Sequence, residues 1–248
     1  MASFSPGQYQ AVVDKINSGL NTVSQEKLPD LTSATNSMLG TWYIPAPVKD
    51  AVKWLVDEII HIAESVIHTI GQLLEGAVMP FYLFDYSWNW EDIKGTATGV
   101  ASEITPQAVA VKDWQGQAAT AYSSAIQPQS QAAAQLGTIA SSTVTSLLAC
   151  AVAGLAFYVA LGIIVYQLIA SLIAAIAAVG SIIFSWAGLA MVVADAGVST
   201  GMITAAVASL VALLGTEASQ MVSLHGQAVD DTAFPGGRWP IAASMASS

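Results

Sequence analysis

The sequence predicts an all-α protein, an elongated helical bundle, on three observations. Apolar residues recur at helical spacing along most of the chain, with polar residues between them. No segment alternates apolar and polar residues in the manner of a strand. Between Asp113 and Asp195 the chain carries no Asp, Glu, Lys, Arg or His, and Leu, Ile, Val, Ala and Phe dominate from Leu147 to Ala194. Such a run is long enough for two bilayer crossings at roughly 20 apolar residues each.

Taken in order, Ser5-Pro6 reads as a helix N-cap followed by proline at the first helical position. Tyr9, Val12, Val13, Ile16, Leu20 and Val23 then form an apolar stripe. Pro29 is expected to kink or end this helix, with a weaker helical stretch running to about Leu39. Gly40 and Pro45-Ala46-Pro47 mark a turn. The segment from Val48 to Val78 is the best amphipathic helix in the chain. Val52, Leu55, Val56, Ile59, Ala63, Val66, Ile70 and Leu73 share one face, while Lys53, Asp57, His61, Glu64, His68, Gln72 and Glu75 occupy the other. These helices would pair as an N-terminal αα-hairpin over residues 1–80.

Pro80 to Trp90 is an aromatic-rich connector, read either as a packed loop or as an interfacial aromatic belt. A helix is expected from Glu91 to Glu103, a break at Thr105-Pro106, and a further helical stretch to Asp113. From Gln117 an Ala-rich helix continues past Pro128 into the apolar run. Gly162, Gln167–Ser171, Gly180-Ser181 and Gly188 are the run's only interruptions. Asp195–Gly201 reads as a loop, Met202–Val229 as a final helix, and Phe234–Pro240 as irregular.

The net charge is −10, and six of the seven basic residues precede the apolar run. They form no basic patch, which excludes nucleic acid as a partner. Cys150, the only cysteine, lies inside the run and reads as a small buried hydrophobe. The N-terminus shows no charged region followed by an apolar one, so export would proceed without a Sec signal peptide. No nucleophile–base pairing, Gly-rich phosphate loop or metal-ligand spacing is present, so neither an enzyme nor a cofactor is expected. Glu58-x-x-His61 has di-iron spacing but occurs once, on the polar face. His61 and His68, with Asp195 at the end of the run, are candidates for a pH response. Histidine as a class changes charge between pH 5 and 8, and Asp195 would set a depth limit or a pore mouth.

The most specific local pattern is Trp114-x-Gly116-x-Ala118-Ala119-x-Ala121-Tyr122. Glycine permits a tight turn, tryptophan anchors it, and the alanines give a helix face that packs closely. The pattern resembles the WXG family of small helical hairpins exported by type VII (ESX) secretion in actinobacteria and firmicutes. The resemblance covers roughly residues 88–145. It implies a turn at Trp114 and Gly116 between antiparallel helices, with Tyr122 packing nearby. No tyrosine in the chain is followed four residues on by Asp or Glu. The resemblance allows that part of the export signal to come from a WXG-type helical partner in a heterodimer.

The apolar run admits three readings: a hairpin hidden in a soluble bundle and released at a membrane, a permanent anchor of two or three spans, or an inert core. The first is similar in organisation to the pore-forming colicins, where amphipathic helices wrap an apolar pair. Leu147, Leu155, Phe157, Leu161, Ile164, Leu172, Ile176, Ile183, Phe184 and Trp186 are the residues expected to insert. The full expectation is a bundle containing a WXG-like helix-turn-helix over 81–144, a hydrophobic hairpin over 145–200, and a C-terminal helix with tail over 201–248. The functional expectation is a secreted, type VII-like effector that inserts into membranes and forms pores, alone or as a homo-oligomer. The alternative is an integral membrane component of such a system, and the third is a helical interaction module.

Overall fold

The structure is a computed structural model that describes residues 6–105, 114–180 and 186–241, with side chains described for 7–105, 114–179 and 201–241. Among these residues the fold is all-α, with no strand. The helices are α1 (Pro6–Thr22), α2 (Leu28–Leu39), α3 (Ala46–Leu74), α4 (Met79–Glu103), α5 (Gln117–Gly180) and α6 (Trp186–Ala228). They form two compact units. Residues 1–79 with 152–212 make one, and residues 80–151 with 213–248 make the other.

In the first unit, α1 begins at Pro6, where a missing N–H leaves no helical bond unmade. The sequence expected Pro29 to kink or end this helix, and the regular α1 stops at Thr22, shortly before it. A π turn over Val23–Lys27, with the Leu28 N–H bonded to the Val23 carbonyl, leads directly into α2. The wider turn admits the proline ring that an α turn would reject. Gly40 N–H bonds back to Asn36 O as the chain leaves α2. Pro45, in extended conformation, sets the start of α3, and Pro47 falls in the helix's first turn. The α1–α2 helix and α3 run antiparallel. Lys49 at one end donates to Leu39 O, and Tyr9 at the other donates to Ala77 O.

The α3 stripe is buried as expected at Val52, Val56, Ile59, Ala63, Val66 and Ile70. Tyr9, Ile16, Leu20, Val23, Leu28 and Leu31 of the preceding helical segment are buried as well. The later part of α5 completes this core with Leu161, Ile164, Val165, Leu168, Leu172, Ala175 and Val179. α1 and α5 pack closely. A Cβ added at Gly19 would lie 2.5 Å from Val165 Cγ1, whereas one added at Gly162 would lie 3.6 Å from Ile16 Cγ1.

In the second unit, α4 and the first part of α5 are antiparallel, with Ser130 Oγ donating to Ala101 O at 2.9 Å and Gly137 facing Thr98. The aromatic segment from Pro80 is not a connector. It is the first half of α4, whose second residue is Pro80, a position that needs no N–H donor. The C-terminal tail lays Trp239 into the crease between α4 and α5, beside Ile93, Ala97, Ala133 and Leu136. Gln129 Nε2 donates to Pro240 O at 3.1 Å.

Two further sequence expectations change. The Asp195–Gly201 stretch is helical, because α6 starts at Trp186 and runs through it. Isolated glycines weaken a helix by only about 1 kcal/mol each and do not stop one. The helix of the apolar run passes unbroken through Gln167–Ser171, as it does, in line with expectation, through Pro128. The helical stretch expected up to Asp113 lies outside the described residues.

Candidate membrane-active site

The central feature of the first unit is the apolar part of α5, from Val152 to Val179. Among the described residues, two helices are long and apolar enough to cross a membrane by length and composition. One spans Gln117–Val179 and the other Gly201–Ala228. The best window of the first is 39% buried and that of the second only 6%, so the two differ in how far protein covers them.

α5 has two unlike faces. Phe157, Leu161, Ile164 and Leu172, all expected to insert, are buried in this unit, and Leu155 and Ile176 are half-buried. Leu147, also half-buried, lies in the second unit. In this state those residues are covered rather than presented. The opposite face carries Val152, Val159, Ile163, Tyr166 and Ile173, between 41% and 73% exposed. Sequence reasoning missed this stripe. Its signal was a strict seven-residue spacing at 152, 159, 166 and 173, which keeps side chains on one side of a helix. From Val152 to Ile173 the helix rises about 32 Å at 1.5 Å per residue.

Two tyrosines fix α5 to the N-terminal hairpin. Tyr158 OH donates to Leu73 O at 2.9 Å, and Tyr9 OH donates to Ala77 O. Both carbonyls lie at or just past the end of α3, where the helical ladder runs out, and Leu73 O also accepts the Gly76 N–H at 3.3 Å. The two rings meet edge to face, centroids 5.6 Å apart at 80°. Burial, and then the neighbouring Tyr158, push the Tyr9 hydroxyl above the ordinary tyrosine range, so it stays a neutral donor.

Trp114, Gly116 and Tyr122 come together at the start of α5. Gly116 has φ +104°, a conformation that favours glycine, and its carbonyl accepts the Thr120 N–H at 3.1 Å. The Trp114 and Tyr122 rings are 5.4 Å apart, and both are more than two-fifths exposed. His61 and His68 are exposed on the outer face of α3, near Asp57 and Glu64 in sequence. Asp195 lies within α6; its side chain and that of Trp186 are outside the described residues, as are Ile183 and Phe184 altogether. Among the described residues no three His, Cys, Asp or Glu side chains converge on a metal position. No protein-family model matches the chain, and neither a curated protein nor a solved structure matches it.

Proposed function

We propose that the protein is a membrane-inserting helical effector, folded in water with the apolar part of α5 held by α1–α3 and released into a bilayer. The observation that carries this reading is the exposed stripe from Val152 to Ile173. It is uncharged, lies on a charge-free helix, and its rise of about 32 Å matches a hydrocarbon core of about 30 Å. The opposite face of α5 is covered by amphipathic helices whose outer surfaces carry Lys53, Asp57, His61 and Glu64. A charged cover of that kind belongs in water and favours a releasable helix over a constitutive one. Insertion of several copies would permeabilise the bilayer. Export by a type VII route, with a WXG-type partner, is proposed from the Trp114–Tyr122 segment alone.

A permanent anchor is the second reading, favoured by the sparse cover on the Gly201–Ala228 window. One experiment separates the two. The chain is expressed without detergent and fractionated at high speed, then mixed with dye-loaded vesicles. The expected result is a folded helical species in the supernatant that releases dye. Protein found only in membranes and resistant to carbonate extraction would replace the effector reading with the anchor. A soluble protein that leaves vesicles intact would overturn both.

A further inference from the structure

The turn joining α2 to α3 presents an unusual surface. Trp42 is 91% exposed, Tyr43 59% and Trp54 64%. The Trp42 and Tyr43 rings pack edge to face, 6.0 Å apart. Large aromatics left this open lose the stabilisation that burying them would bring, so folding alone does not account for them.

The surroundings define a partner. From Leu31 to Val48 the chain has no charged residue, and Lys49 and Lys53 follow immediately, with Asp50 the only acid between them. Lys49 donates to Leu39 O, which holds its ammonium beside the turn. Pro45 and Pro47 stiffen the loop. An uncharged aromatic tip backed by two lysines is matched to the headgroup–acyl boundary of an anionic bilayer. The aromatic rings sit at that depth, and the ammonium groups meet lipid phosphates. A protein groove would need complementary cover along a helix face, whereas this surface is a protruding turn.

Its position is consistent with that role. α1 and α5 run parallel, Tyr9 meeting Tyr158 and Gly19 meeting Val165 and Ile169. The α2–α3 turn therefore lies toward the same end of the unit as residue 180, where the apolar part of α5 finishes. We infer that this turn is the bilayer-docking tip, through which the protein first adsorbs to anionic lipid before α5 moves. The inference rests on the membrane reading above.

The test uses the full chain and vesicles of equal parts phosphatidylcholine and phosphatidylglycerol. Co-sedimentation gives an apparent affinity for the wild type, the double variant Trp42→Ala/Tyr43→Ala, and Trp88→Ala, an exposed tryptophan in the other unit. The tip variant is expected to bind at least about tenfold more weakly, the effect of losing two interfacial aromatics. The Trp88 variant is expected to bind as the wild type. Far-UV circular dichroism checks that both variants remain folded. A tip variant that binds as the wild type, or an equal loss in the Trp88 variant, overturns the docking tip and leaves the membrane reading standing. A wild type that binds no vesicles overturns both.

Discussion

Tyr9 and Tyr158 reach the end of α3 from two different helices, each with a hydroxyl on a backbone carbonyl there. Removing either hydroxyl deletes a long-range hydrogen bond, although Leu73 O keeps the Gly76 N–H. Tyr158→Phe is therefore expected to lower stability by about 1–2 kcal/mol, measured as a shift in the urea midpoint. On the membrane reading the same variant releases vesicle dye faster than the wild type. Tyr9 also predicts a pH effect. Its folded-state value is raised, so its contribution is complete below the ordinary tyrosine value of about 10 and is lost as the pH climbs beyond it. Stability of the wild type should fall above about pH 10, and Tyr9→Phe should flatten that decline. The two glycines of the α1–α5 contact make a paired prediction. Gly19→Ala meets Val165 at a distance real side chains do not adopt and should destabilise by about 1–3 kcal/mol. Gly162→Ala enters ordinary contact and should be neutral or slightly stabilising, since alanine is the better helix former. Thermal melts of the two variants check the contrast.

At the scale of the helix, the two faces of α5 should respond in opposite ways. Leu161 is fully buried, and Leu161→Ala should destabilise the fold by about 2–5 kcal/mol. Ile163 is half exposed, and Ile163→Lys should change stability by less than about 0.5 kcal/mol. In the bilayer centre, however, that lysine would cost about 3 kcal/mol, so dye release should drop by more than about tenfold. A variant that destabilises without impairing release, or one that leaves release intact, would reassign the exposed face.

The same helices show what could be read in advance. The α3 stripe was legible because amphipathic spacing over so many residues has one solution, and the glycine turn at Trp114-x-Gly116 was marked by its residue types. Errors fell where a local signal was outweighed by the length of the helix around it. Pro80 was accommodated by its place in the first turn of α4, and the glycines of Asp195–Gly201 by helix on both sides. Which side of α5 would be covered was not legible from composition, because apolar residues occupy its whole circumference. Only the partner helices decide it, and they come from the other end of the sequence.

For the whole molecule, charge is the quantity that opposes membrane contact. The chain carries 17 acidic residues against seven basic ones, a net charge of −10, so an anionic surface repels most of it at neutral pH. Acidification reduces that repulsion by neutralising acids and charging histidines. Dye release from anionic vesicles should therefore be faster at about pH 5 than at about pH 7.5, and equal rates would remove charge from the account of insertion. The effect should weaken in high salt, which screens the same repulsion.

The charge-free helix has one more consequence, in proteolysis. Trypsin-like enzymes cut after lysine or arginine, and none occurs between Lys112 and Arg238. All cleavable positions other than Arg238 lie in the α1–α4 region of the sequence or just after it. A digest thus dismantles the covering helices first and leaves residues 113–238, with both long apolar helices, as a single piece. Enzymes of that specificity would uncover the helix proposed to insert and would have no means of cutting it.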